Sequence, residues 1–292
     1  MTDSLRGAAL MVAAMAAFAV EDGLIKALSG TIPAAQIIWM LGLGGALAFV
    51  GWLRLSGQAV WSAHYIRPQV LLRSGFEVFG TLCFVSALSL IPLATASAVI
   101  QATPLVVAMG AALFLGAQVG WRRWLAIIVG FVGVMVILRP GADSFDPATL
   151  LAVGGMLGLA ARDLVTRTMP GVVSGARLSL HAFAALFPTG VALQLALGAP
   201  VVVPDGVGFG ILALCVGIGM FGYLTIVAAT RLGDISFVSS FRYSRMLFAL
   251  VVGGVAFGER PDVWTLVGVA IVIASGLYTL IREARLRTAS QV

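Results

Sequence analysis

The sequence predicts an all-α integral membrane protein: ten transmembrane helices in two inverted five-helix repeats around a central cavity. Composition identifies the solvent. Of 292 residues, 60% are hydrophobic and 10% charged, where a soluble domain carries about 25% charged. A soluble fold of this size has no interior large enough for so much apolar side chain, so the solvent is lipid. Ten apolar runs supply the helices. A self-match, found on shifting the chain by just under half its length, supplies the repeat.

A run of about 20 apolar residues is long enough to cross the hydrocarbon core as a helix. The first run, 5–28, follows MTDSLRG. It is too long for the apolar part of a leader and carries Glu21 and Asp22, so it is expected to be retained as span 1. Spans 2 to 5 are expected at 33–53, 68–90, 94–116 and 122–138. Spans 6 to 10 are expected at 147–168, 175–197, 206–231, 235–257 and 262–282. Short connections hold turn formers, as in SGTIP (29–33), LIPLA (90–94) and GAP (198–200). The longest linker, RPGADSFDP, sits at mid-chain and divides a first repeat, 1–140, from a second, 147–292, through 141–146. Pro104 and Pro188 fall inside spans 4 and 7 and predict kinks. Gly42, Gly44, Gly45, Gly130, Gly133, Gly253 and Gly254 predict close helix approaches.

Charge sets the orientation. With the N-terminus cytoplasmic, Arg6, Arg54, Arg67, Arg73, Arg122, Arg123, Arg167, Arg177, Arg231, Arg282, Arg285 and Arg287 lie at inside ends. Lys26, Arg139 and Arg260 lie outside, and Arg162, Arg242 and Arg245 lie within spans. Twelve against three predicts both termini on the cytoplasmic side of a bacterial inner membrane. The same scatter of arginines lacks the dense basic tail that a nucleic-acid binder presents, so no nucleic-acid partner is expected.

The repeat is read by sliding the chain over itself. EDGLIK (21–26) lies over RDLVTR (162–167), so Asp22 meets Asp163 and Lys26 meets Arg167, and Gln36 meets Arg177. One residue further, FLG (114–116) lies over AFG (256–258), Gln101 over Tyr243 and Thr103 over Arg245. Each half holds an odd number of spans, so the halves enter the membrane in opposite directions. Inverted repeats mark alternating-access carriers whose substrate site lies near the midplane.

Charges inside spans are the candidate site. A charge at the centre of a lipid-facing helix costs about 2.5–3.5 kcal/mol on insertion scales. Arg245 falls near the centre of span 9 and shares a face with Arg242, three residues before it. Glu77, near the centre of span 3, is the expected partner of Arg245. Three readings stay open: a permanent ion pair that stiffens the bundle, a pair of charges holding the two ends of a zwitterion, and a proton-coupling role for Glu77. Gln101 and Tyr243, at matched places in the repeat, complete the expected substrate-binding set with Glu77, Arg242 and Arg245. Asp22, Asp163 and Arg162 are expected to gate or couple. Lys26 and Arg167 follow the two aspartates at i+4, which predicts local ion pairs. His181 is read as structural or interfacial.

The stretch SALSLIPLATASAVIQATPLVVAMGAALFLGAQVGWRRWLAIIVGFVGVMVILRPG (86–141) and its counterpart AATRLGDISFVSSFRYSRMLFALVVGGVAFGERPDVWTLVGVAIVIASGL (228–277) resemble the drug/metabolite transporter superfamily, EamA type. The resemblance covers nearly the whole chain and is similar to that of amino-acid exporters of the superfamily. It implies a basket of ten helices with the fifth and tenth packed to the side. It also implies transport of amino acids, other small metabolites or nucleotide-linked compounds, often as export. Many relatives carry a small or apolar residue where Arg242 and Arg245 stand here.

No phosphate-binding G-x-x-x-x-G-K-[ST] run occurs, nor G-x-S-x-G, H-E-x-x-H or a cysteine-rich run, so no motor, cofactor or metal is expected. The expected function is export of a small polar or zwitterionic metabolite, an amino acid in the leading reading, by alternating access. The alternative is an importer of a larger nucleoside-like or vitamin-like compound. An intramembrane enzyme using Asp22, Asp163 or His181 ranks behind both, as does a channel. The expected partners are a small-molecule substrate and the lipid bilayer, with a monomer as the expected state.

Overall fold

The computed structural model describes residues 3–117, 120–142, 145–169, 174–232 and 235–289, leaving aside the side chains at 235–236 and 283–289. Asp143 and Ser144 of the mid-chain linker, and the side chains of Arg285 and Arg287, lie outside the described residues. The helices are α1 (Asp3–Ser29), α2 (Ala34–Leu55), α3 (Pro68–Leu90), α4 (Leu93–Ile100), α5 (Thr103–Phe114) and α6 (Trp121–Leu138). They continue as α7 (Thr149–Thr168), α8 (Gly175–Ala196), α9 (Gly206–Ala229), α10 (Ile235–Ser240), α11 (Ser244–Phe257) and α12 (Val263–Ala289). Among the described residues there is no strand. Among the described residues nine stretches, with α4 and α5 taken together, are long and apolar enough to cross a membrane. The exposed side chains of α6 and α9 include Leu125, Ile128, Val207 and Phe209, apolar as lipid-facing positions require.

Spans 4 and 9, expected as continuous helices, are each broken near the middle, and the same device mends both breaks. Pro104 has no N–H to offer the carbonyl of Ile100, four residues earlier. The hydroxyl of Thr103 donates to that carbonyl instead, at 2.5 Å. In span 9 a single 3₁₀ turn, Phe241–Tyr243, separates α10 from α11. There the hydroxyl of Ser244 donates to the carbonyl of Phe241 at 2.7 Å. The shift that lays Asp22 over Asp163 also carries the first bond onto the second. The counterpart of Thr103 in this motif is therefore Ser244, not Arg245. Pro188, by contrast, leaves α8 unbroken from Gly175 to Ala196.

The chain forms two compact units, each drawing on both halves of the sequence. The first comprises Met1–Gly23, Ile91–Thr149 and Phe221–Val292. In it α6 lies along α12, where Gly133 and Gly268 allow near-contact: a Cβ on Gly133 would stand 2.9 Å from the Gly268 carbonyl oxygen. Met11, Ala14, Met15, Ala229 and Val238 form a buried cluster of this unit. The second unit comprises Leu24–Leu90 and Leu150–Met220. In it α2 lies along α8, and Gly190 faces the backbone of Trp39 closely enough that a Cβ would stand 2.7 Å from its nitrogen. Gln36 of α2 exchanges hydrogen bonds with Val202, in the connection after α8, at 2.5 and 2.9 Å. Reciprocally, Arg177 of α8 donates from Nε to the carbonyl of Ala59, in the connection after α2, at 2.9 Å. Gln36 and Arg177 are matched by the same shift of the chain.

Candidate substrate-binding site

In the first unit, α1 presents Asp22 to the start of α11. The adjacent Gly23 permits the approach, because a Cβ there would meet Val252 of α11 at 2.5 Å. Arg245 donates from Nη2 to Asp22 Oδ2 at 2.6 Å. The Asp22 side chain is 6% exposed and that of Arg245 19%, so the pair is held away from solvent but not sealed. The guanidinium also lies over the Phe18 ring, 5.5 Å from its centroid, a cation–π placement. Glu21, next to Asp22, feels the charges of both Asp22 and Arg245. Two carboxylates and one guanidinium thus converge where α1 meets the break in span 9.

Gln101 closes the same region from the other broken span. Standing at the C-terminal end of α4, its Nε2 donates to the carbonyls of Tyr243 and Arg242 at 3.2 and 3.4 Å. A side chain from one helix break is therefore bonded to the backbone of the other, and the matched pair Gln101 and Tyr243 is brought together. Tyr243 is buried, its ring against Gly276, and its hydroxyl and that of Ser97 are buried with no hydrogen-bond partner among the described residues. Arg242 is exposed.

The second unit carries a separate charge network. Glu77 of α3 pairs with Arg73 at 2.5 Å and with Arg162 of α7 at 3.1 Å. Arg162 pairs in turn with Asp163 at 2.8 Å. Two guanidinium groups and two carboxylates balance. Beside them Arg73 donates to the Leu178 carbonyl at 3.3 Å, and Ser74 Oγ bonds His181 Nδ1 at 2.7 Å. The His181 ring stacks on Tyr65 at 5.3 Å. These two contacts, to Ser74 and Tyr65, hold the His181 ring in place.

Three expectations are corrected. The expected Glu77–Arg245 pair gives way to Glu77 with Arg73 and Arg162, and to Arg245 with Asp22, because each charge finds a partner within its own unit. The expected i+4 pair of Asp22 with Lys26 is replaced too: Asp22 turns to Arg245, and Lys26 donates to the Leu88 carbonyl at 3.3 Å. Asp163 pairs with its neighbour Arg162 rather than with Arg167. Arg73, expected only as an inside-end charge, carries its signal in the four-residue spacing from Glu77.

Sequence reasoning also passed over Glu259, in the run FGERP. Its Oε1 accepts from the Leu93 N–H at 2.9 Å and its Oε2 from the Ala94 N–H at 3.3 Å. The residue before α4, Pro92, supplies no side-chain cap of its own, so Glu259 caps α4 from the far end of the sequence. Nearby, Asp262 accepts from Arg139 and from the Thr265 N–H. Burial works against its charge, but the Thr265 and Arg139 donors outweigh burial and hold its carboxyl below the usual carboxylate range. Among the described residues no group of three or more His, Cys, Asp or Glu side chains is placed to hold a metal ion.

Apolar helices in the number a carrier needs, two of them broken at matched places beside intramembrane charges, define a membrane transporter. Residues 5–139 match the model of the EamA-like transporter family. The chain is 29% identical over 258 residues to a riboflavin transporter of Rhizobium johnstonii, covering 86% of this chain and 82% of that one. It is 26% identical to an S-adenosylmethionine uptake transporter of Rickettsia felis, over 75% of this chain and 74% of the other. It is also 26% identical to a pseudopaline exporter of Pseudomonas aeruginosa, over 92% and 94%. A crystal structure 19% identical in sequence shares the fold, with a TM-score of 0.64 and 97% of each chain covered. Residues 5–139 thus carry an EamA-like transporter domain, and along most of its length the multi-pass chain is similar to membrane transporters.

Proposed function

We propose that this transporter exports a small zwitterionic metabolite, an amino acid or a compound with an amino-acid end, by exchange of ion pairs at Asp22 and Arg245. The observation that carries the reading is the 2.6 Å Asp22–Arg245 contact beside the two helix breaks. A solute carboxylate takes Arg245 from Asp22, and the released Asp22, with Glu21 beside it, takes the solute's ammonium. The charges are already in place, so the solute replaces one ion pair by two without leaving a buried charge alone, which would cost about 3–5 kcal/mol. Gln101 keeps the break in span 9 at fixed geometry while the guanidinium changes partner. The S-adenosylmethionine named for the Rickettsia relative carries a methionine end of this kind. Arg162 and Asp163 act as a gating pair in the second unit, with Glu77 held between Arg73 and Arg162 as their support.

The protein resides in the bacterial inner membrane with both termini cytoplasmic, a reading supported by the distribution of arginines. Import of a vitamin-like compound is the second reading, and it is favoured by the riboflavin transporter that matches 86% of this chain. Counterflow in proteoliposomes separates the two. Labelled amino acids exchange under the first reading, and labelled riboflavin exchanges while amino acids do not under the second.

A further inference from the structure

We infer that the first unit carries a second solute site, distinct from the Asp22–Arg245 pair: a small pocket where α4 begins and α6 ends, which receives a free α-amino acid as its zwitterion. The pocket has a volume of about 280 Å³ and is lined by Thr95, Arg139, Asp146, Glu259, Arg260 and Asp262 among others. Ligand pockets generally span about 300–1,000 Å³, so this one sits at the small end and suits one compact metabolite.

The charges select the chemistry. Arg139 and Asp262 are engaged with each other. Arg139 is the one non-glycine residue among those described with a positive φ, 48°, so its backbone is held in an unfavoured conformation while its side chain makes this pair. Glu259 is anchored by two backbone N–H groups and Asp146 by the Ala148 N–H at 2.9 Å. The Asp146 carboxylate keeps further acceptor capacity. Arg260 lines the pocket and makes no hydrogen bond or ion pair among the described residues. The pocket thus offers one unengaged guanidinium to a carboxylate, and anchored carboxylates to an ammonium. Its formal charge, two arginines against Asp146, Glu259 and Asp262, disfavours a simple anion. The absence of a metal-holding group among the described residues disfavours a divalent cation. A molecule carrying both charges satisfies both sides. The pocket also accounts for an irregularity in the sequence: Arg139 and Arg260 are two of the three basic residues that fall on the unexpected side of the membrane, and both line this cavity.

The site is independent of how the transport reading fares, because it involves none of the residues assigned there. It is tested on the full-length protein purified in micelles, with Cys83 and Cys215 replaced by alanine and Thr95→Cys as reporter. The rate of modification by a negatively charged methanethiosulfonate is measured with L-alanine, acetate or ethylammonium present. With L-alanine at ten times its dissociation constant the rate falls about 10-fold, while acetate and ethylammonium at the same concentration leave it unchanged. Arg260→Gln abolishes the protection, read as the ratio of rates with and without L-alanine in the same variant, and the Asp22→Asn/Arg245→Gln double variant retains it. Modification unaffected by alanine, or protection surviving in Arg260→Gln, overturns the proposal. So does protection lost in the double variant, which would assign the effect to the transport site. Should Thr95→Cys fail to fold, equilibrium binding of labelled L-alanine to the double variant, with and without Arg260→Gln, reads the same site: binding that requires Arg260 supports it and no binding refutes it.

Discussion

Among single residues, what matters is which charge each buried charge touches. Asp22 and Arg245 share one contact, so removing Arg245 leaves Asp22 buried beside Glu21 without its ion-pair partner, at a cost of about 3–5 kcal/mol, and removing Asp22 takes from Arg245 its 2.6 Å contact. Arg245→Ala and Asp22→Asn are therefore expected to lower thermal stability in detergent as well as transport. The double variant Asp22→Asn/Arg245→Gln removes both charges together. It is expected to melt near the wild type and to lose transport, which a melting curve alongside an exchange assay checks. A double variant that transports normally would assign the pair to scaffold. That Asp22, Arg245, Glu77 and Arg162 each need a partner was legible in the sequence, because charges inside apolar spans demand one. Which partner each takes was not. Depth along a span follows from the helical rise of about 1.5 Å per residue. The rotation of each helix, and which helices gather into one unit, follow from packing that a single sequence does not display. Glu77 and Arg245 matched in depth, and they take partners in different units.

Among the helices, the breaks in spans 4 and 9 organise the site. Pro104 announced the first break; nothing as plain announced the second, since Ser244 and Phe241 are ordinary residues until their hydrogen bond is seen. Glu259 caps α4 across 166 residues of sequence, a distance over which no spacing rule operates. Glu259→Ala is expected to cost about 1 kcal/mol, the usual value of a helix N-cap, and to lower the melting temperature with no change in helix content by circular dichroism. Asp262 gives a pH signature. Its folded pKa lies below its ordinary value, so its contribution is present above the unfolded carboxylate range, about pH 3.9, and is lost as pH falls through the lower folded value. Asp262→Asn is expected to flatten the acid limb of melting temperature against pH and to leave the neutral region with a constant offset. An unchanged acid limb would show that the Arg139 and Thr265 contacts do not hold in the membrane protein.

Across the chain as one assembly, ten apolar runs were placed by composition alone, and their ends agree with the observed helices to within a few residues except at the two breaks and at the end of α12, which runs seven residues past the expected 282. The shift that emerged from letters recurs in bonds: Thr103 to Ile100 against Ser244 to Phe241, and Gln36 to the connection after α8 against Arg177 to the connection after α2. The interleaving of the halves was not legible, because each compact unit is assembled from both of them. The solute lies beyond the fold, as the relatives make plain: one is named for riboflavin, another for S-adenosylmethionine, a third for pseudopaline. Ion-pair exchange is best tested by counterflow of labelled amino acids into proteoliposomes preloaded with unlabelled amino acids, comparing wild type with Asp22→Asn/Arg245→Gln. Exchange of at least one zwitterionic amino acid by the wild type and background uptake by the double variant are expected. Exchange of riboflavin with no amino acid, or equal exchange by both proteins, would contradict the mechanism.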